Sequence, residues 1–345
     1  MAFFLEKKDA GDIPEYLLEE NQLPNEANVG IFTSASAGDH DGLQRFYDKG
    51  GKPNYFHRPS DGATSLHGAA RSGTSGALRC MEFLMLKGAV LDAKMITNQN
   101  TPLHEATHHN RQKACGALVN AGAGFLKNAF GNTPLHIAVQ QGNIPLALFF
   151  LEKGHSVNLC NNRGMTVLHV CASLCKGNAT SAANSPSANN SEKYLKLAAC
   201  IILYGGNVDA LDLNKYSALH FASAGGNLDM VQLLVDSGAK VAEKSRVLFG
   251  DKVVERIPAD VARVNGHVNV QSFLEASTRK LEFGKILATN NLVDKYTKGI
   301  VSAVKVKQQK ENKNDGANAV PAGSGTTAAK SITLTSSGVG GDAEH

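Results

Sequence analysis

His104-Glu105-Ala106-Thr107-His108 spells the HExxH pattern of zinc hydrolases. On a helix this spacing sets two imidazoles on one face, with a carboxylate beside them to act as base on a metal-bound water. Such a centre also needs a third ligand and a substrate cleft. Six cysteines (Cys80, Cys115, Cys160, Cys171, Cys175 and Cys200) are the other candidate ligands. They are scattered, and Cys171 and Cys175 form a CxxxC without a second pair, so small buried thiols are expected rather than a zinc site. Gly323 to Ser331, GSGTTAAKS, resembles a phosphate loop, but Ala329 replaces the glycine before Lys330 and no apolar strand precedes it. No nucleophile elbow or paired catalytic carboxylates occur. The chemistry at 104–108 must be judged by the elements that position it.

Those elements repeat. TSLHGAARSG starts at Thr64, TPLHEATHHN at Thr101, TPLHIAVQQG at Thr133, TVLHVCASLC at Thr166 and SALHFASAGG at Ser217. Each is followed by a second apolar stretch that closes on glycine and a further residue, as in GALVNAGA ending at Ala123. Degenerate copies begin near Val29 and Ile257, making seven units with starts near 29, 64, 101, 133, 166, 217 and 257. The pattern reads as helix, turn, helix, loop. Thr opens the first helix by capping, Pro fits its first turn, and Leu and small Ala pack helix on helix.

These motifs strongly resemble the ankyrin repeat family, whose unit of about 33 residues carries T-P-L-H-x-A-A-x-x-G and then L-L-x-x-G-A. The resemblance covers residues 29–277 and implies an all-α solenoid of helix-turn-helix units with β-hairpin fingers. Stability then accrues along the stack, because no unit buries a core alone. In that family the TPLH histidine is structural, which assigns His67, His104, His136, His169 and His220 to backbone-tying roles. HExxH becomes a coincidence of one repeat: the other four copies place Gly68, Ile137, Val170 and Phe221 where Glu105 stands.

Matching units to the family's variable positions yields expected partner contacts at Asp61, Arg71, Asn98, Asn100, His108, His109, Phe130, Asn132, Gln140, Gln141, Arg163, Asn214 and Tyr216. Phe130 and Tyr216 are the expected anchors, since interface energy concentrates in aromatics and Arg. Two spacings exceed the period. The longer places Lys176 to Asn190, KGNATSAANSPSANN, inside the fifth unit as a mobile loop. The other lengthens the finger before Ile257, where Ser245 to Phe249 and Lys252 to Arg256 flank Gly250-Asp251. That is the signature of a β-hairpin, with Arg246 and Phe249 as docking candidates.

Outside the repeats, residues 1–28 read as a leader or cap. Between Arg279 and Lys313 nine basic residues oppose three acidic ones, within a chain of net charge +4. This 278–313 segment carries an apolar helical stripe through Val293, Tyr296, Ile300 and Val304; capping of the stack is favoured there over contact with membrane or nucleic acid. Residues 314–345 are Gly, Ala, Ser and Thr rich and expected to be disordered. The N-terminus has no h-region, and the cysteines suit a reducing compartment, cytoplasm or nucleus. The expected protein is a monomeric, non-catalytic adaptor or scaffold with a protein partner, no cofactor, no metal and no small-molecule substrate. Two alternatives stand beside it: a regulatory or substrate-recruiting subunit of a larger enzyme, and a zinc hydrolase built on residues 104–108.

Overall fold

The computed structural model describes residues 26–55, 61–177, 186–249 and 252–282, with side chains for all of these except 186–190, 247–249, 252 and 280–282. Within them the chain forms successive helix pairs: α1 (Glu26–Ala37) with α2 (His40–Asp48), α3 (Ser65–Arg71) with α4 (Ala77–Leu86), and α5 (Pro102–His108) with α6 (Gln112–Asn120). There follow α7 (Pro134–Gln140) with α8 (Ile144–Glu152), α9 (Val167–Leu174) with α10 (Pro186–Leu203), α11 (Ala218–Gly225) with α12 (Leu228–Asp236), and α13 (Pro258–Val264) with α14 (Val268–Glu282). Strands β1 (Ser245–Phe249) and β2 (Lys252–Arg256) pair antiparallel between α12 and α13.

Seven- and eight-residue helices are too short to hold in water alone, so packing must supply their stability. Each first helix from α1 to α13 packs on the first helices before and after it. The residue types explain the close fit. One position in every unit from α3 on is small and fully buried: Ala69, Ala106, Ala138, Cys171, Ala222 and Ala262. Three positions earlier, Leu66, Leu103, Leu135, Leu168 and Leu219 fill the space between neighbours and are also buried. Second helices contribute their own apolar stripes, such as Leu146, Ala147 and Phe150 of α8, to one continuous core. Their starts are fixed by Asp39, Asn143 and Asn227, whose side chains accept the N–H of Gly42, Leu146 and Met230.

Five of the six cysteines belong to this interior and Cys160 is exposed; all six thiols are free. Burial raises the Cys80 and Cys200 thiols to about 11 and those of Cys115 and Cys175 to about 12. They serve as small apolar side chains. No helix among the described residues is long and apolar enough to cross a membrane.

Three boundaries differ from the sequence reading. Helix α1 starts at Glu26, so residues 26–28 belong to the first unit rather than to a leader. Helix α10 starts at Pro186, so the last five residues of the expected loop are helical; a proline costs nothing in a first turn, where its missing N–H has no partner to lose. Helix α14 runs to Glu282, carrying the last unit's second helix into the basic segment. The remaining expectations for residues 1–25, 178–185 and 283–345 fall outside the described residues.

Candidate functional site

The TPLH histidines come first, because they position everything on the finger side. Each Thr or Ser before a first helix is extended, with φ near −85° and ψ near 167° at Thr64, and its backbone N–H points at the histidine three residues on. Thr64, Thr101, Thr133, Thr166 and Ser217 donate N–H to Nδ1 of His67, His104, His136, His169 and His220 at 3.1 to 3.3 Å. An accepting Nδ1 fixes the other nitrogen as Nε2–H. That proton is donated to a carbonyl of the following unit: Asn100, Asn132, Met165, Tyr216 and Arg256, all at 3.0 to 3.1 Å. Every acceptor stands immediately before the next helix cap. Burial holds His67, His104 and His136 at about 4, the hydrogen bonds to Asn100, Asn132 and Met165 offsetting only part of that cost. The rings are neutral clamps between units. In the last described unit Asp260 takes the position, accepting the Ile257 N–H at 3.4 Å.

This geometry settles the HExxH question for His104, whose two ring nitrogens are both engaged. Glu105 is committed too. It is only 7% exposed, accepts Asn100 Nδ2 at 2.8 Å, and lies 3.7 Å from Arg71 Nε and 3.9 Å from His109 Nε2. His108 is exposed at the end of α5, its ring edge-on to that of His109 with centroids 5.4 Å apart. No group of three or more His, Cys, Asp or Glu side chains among the described residues is arranged to hold a metal.

The fingers are tied to one another. The carbonyls of Asp61, Asn98, Phe130, Arg163 and Asn214 accept the N–H groups of Ile96, Ala129, Asn162, Leu213 and Arg246 at 2.8 to 3.1 Å. Inside each turn a carboxylate or amide oxygen holds the backbone, as Asp212 Oδ1 holds the N–H of Asn214 and Tyr216. The residue two before each of the five Thr or Ser caps is left-handed. Gly62, Gly131 and Gly164 fill that place at φ 67°, 72° and 76°, whereas Gln99 and Lys215 adopt it at 51° and 59°. For a residue with a Cβ this costs about 1 to 2 kcal/mol.

Against this frame the expected contact residues separate. Phe130, Gln140, Gln141, Arg163, Asn214, His108 and His109 are exposed on the finger and first-helix side. Asp61 and Asn98 are half-buried, each holding its own turn through Oδ1. Asn100, expected as a contact, is instead buried at 7% exposure, its amide bridging Glu105 and Asn128 between neighbouring fingers. Asn132 likewise accepts Asn161 Nδ2 at 3.1 Å. Arg71 is drawn to Glu105. Tyr216 is no free anchor; its ring packs on His220 and Phe221, with centroids 5.2 and 5.6 Å away. Arg246 is exposed and lies 3.5 Å from Glu255. The backbone of Phe249 pairs with Lys252 in the hairpin, while its side chain lies outside the described ones.

Phe130 is 65% exposed and stands at the mouth of a groove of about 350 Å³ between two fingers and helices α7 and α9. Gln140, Arg163, Met165, Val170 and Leu174 line it. Leu213, 73% exposed on the next finger, extends the apolar row. Sequence reasoning did not single out Leu174, Met165 or Leu213. For Leu174 and Leu213 the available signal was an apolar side chain at a finger or first-helix position that is left exposed, whereas Met165 also packs against the core.

Comparison with known proteins agrees with the architecture. A family model described as "Ankyrin repeats (3 copies)" matches residues 31–128 and 117–184, and one described as "Ankyrin repeats (many copies)" matches 186–235. Similar proteins include the "Putative palmitoyltransferase ZDHHC13" of Danio rerio, 30% identical over 183 residues, which span 52% of this chain and 25% of that protein. Inversin of Canis lupus familiaris is 28% identical over 189 residues, spanning 54% of this chain and 16% of the relative. The B-cell lymphoma 3 protein homolog of Mus musculus is 29% identical over 201 residues, spanning 52% and 45%. The chain thus spans less than half the length of each.

Proposed function

The chain belongs to the ankyrin repeat family and is a protein-interaction module, and we propose that it works as a non-catalytic adaptor or scaffold whose partner docks in the groove beside Phe130. The observation that carries this reading is Phe130 itself. A phenylalanine left 65% exposed adds little to the core, and it borders a ready-made cleft where Met165, Val170 and Leu174 meet the polar side chains of Asn132, Gln140, Asn161, Asn162, Arg163 and Ser173. Interfaces draw most of their energy from such aromatic and Arg positions. The histidine clamps and finger ladder hold the groove in shape before binding, which lowers the ordering cost of association. Five buried thiols, all six cysteines being free, favour the cytoplasm or nucleus as its compartment, and a single chain is the proposed unit.

The test compares proteins that co-purify with the full chain and with its Phe130→Ala variant. A partner retained by the parent and lost from the variant, at unchanged melting temperature, supports the groove. Equal recovery on both defeats it. An enzyme recovered in stoichiometric amount would identify the module as a regulatory or recruiting subunit rather than a general adaptor.

A further inference from the structure

The charge along this row is one-sided. Arg163 and Lys215 are exposed on successive fingers, and among the described residues neither takes part in an ion pair. Apart from Glu243, half-buried beside His220, the carboxylates nearby are committed. Asp212 is buried with Oδ1 on two backbone N–H groups, Glu105 is buried beside Arg71, and Glu255 lies between Lys244 and Arg246 at 3.1 and 3.5 Å. Asp61 is two fingers removed from Phe130 and holds the Ala63 N–H. From Phe130 onward the exposed finger residues Phe130, Arg163, Leu213 and Lys215 are apolar or cationic, and the exposed Asn162 and Asn214 between them are neutral.

The row is also rigid. The Phe130 carbonyl accepts the Asn162 N–H at 3.1 Å and the Arg163 carbonyl accepts the Leu213 N–H at 3.1 Å, so the tips cannot drift apart. Lys215 is held left-handed at φ 59° where Gly131 and Gly164 stand in the preceding fingers. Like Gln99 at the same position, Lys215 holds its turn through the backbone, its N–H donated to the Asp212 carbonyl at 3.0 Å, while its exposed side chain takes part in no ion pair among the described residues.

Resting on the groove reading above, we propose that the row Phe130, Arg163, Leu213 and Lys215 selects an extended acidic peptide segment carrying one bulky apolar residue. The apolar residue enters between Phe130 and Leu174, and carboxylates pair with Arg163 and Lys215. Neighbouring packed helices lie about 8–10 Å apart, which is about three residues of extended chain at about 3.3 Å each. The recognised carboxylates accordingly recur about every third residue beyond the anchor. A nucleic acid fits less well: two unpaired cations neutralise few phosphates, and the row is half apolar.

The probe is a short fluorescein-labelled peptide of Glu and Ser with one central Phe, titrated by anisotropy against the full chain. It should bind at least about tenfold more tightly than its Gln counterpart, one decade corresponding to about 1.4 kcal/mol. The pair Arg163→Glu and Lys215→Glu should weaken it by about tenfold or more and improve binding of a Lys counterpart, with melting temperature unchanged. Affinity should fall with added salt. Glu and Gln peptides that bind equally, yet are both lost with Phe130→Ala, would overturn the charge selection and leave the groove standing. Binding of the acidic peptide that ignores Phe130→Ala overturns both. A single-stranded oligonucleotide that displaces the peptide and depends on Arg163 would reassign the surface to nucleic acid.

Discussion

His104 Nε2 lies 3.0 Å from the carbonyl oxygen of Asn132, a residue 28 positions further along the chain. That bond joins the start of one repeat to the last residue before the next, and it recurs at four other histidines. A motif that looks catalytic in a single copy is thus the hinge point of an array.

The first prediction contrasts two histidines. His136 is buried and bonded at both ring nitrogens, while His108 is exposed. His136→Ala should lower unfolding free energy by about 1 to 3 kcal/mol, the cost of leaving buried partners unsatisfied. His108→Ala should change it by less than about 0.5 kcal/mol. Denaturant midpoints decide; equal losses would remove the clamp assignment.

Acid sensitivity follows from the same clamps. With His67, His104 and His136 at about 4 in the fold against an ordinary 6.5, the unfolded chain takes up protons first as pH falls. The stability they confer is complete above 6.5 and is lost progressively down to about 4. Each costs about 1.4 kcal/mol per pH unit in that window, so together the three cost about 4 kcal/mol per pH unit. Urea midpoints should be flat above pH 7 and fall steeply below 6.5, and His136→Ala should reduce that slope by about 1.4 kcal/mol per pH unit, burial lowering His169 and His220 in the same sense. A midpoint that rises on acidification would contradict the assignment.

Much of this was legible in the sequence, and the reason is repetition. Five TPLH-type copies fix helix starts and the histidine role because one physical solution is used five times. The burial of Asn100 was not legible, because its partner Asn128 comes from another finger and no local pattern announces a bond across 28 residues. The packing of Tyr216 was equally hidden: its ring finds His220 and Phe221 on the helix it precedes. Leu213 passed unnoticed because a lone leucine in a loop is ordinary; only its neighbours make it part of a row.

Zinc provides a third prediction. Since His104 has no nitrogen lone pair free, excess zinc should leave the melting temperature unaltered. A rise abolished by both His104→Ala and His108→Ala would restore the hydrolase reading.

Thiol labelling gives the fourth. Cys160 alone is exposed, and burial raises the other thiols, so a native chain should react with one equivalent of a thiol reagent quickly and with six only after unfolding. Fast reaction at two or more sites would mean that the interior opens.

The distance in sequence from each clamping histidine to its carbonyl is 33, 28, 29, 47 and 36 residues, yet the bond length stays within 3.0 to 3.1 Å. The clamp senses only the residue next to the following cap and is blind to how much chain came before it. Segments can accordingly be spliced between clamps without loosening the stack. The fifth unit and the β1–β2 finger are two such grafts, and the array is a backbone on which new loops can be tried one at a time, each at no cost to its neighbours' register.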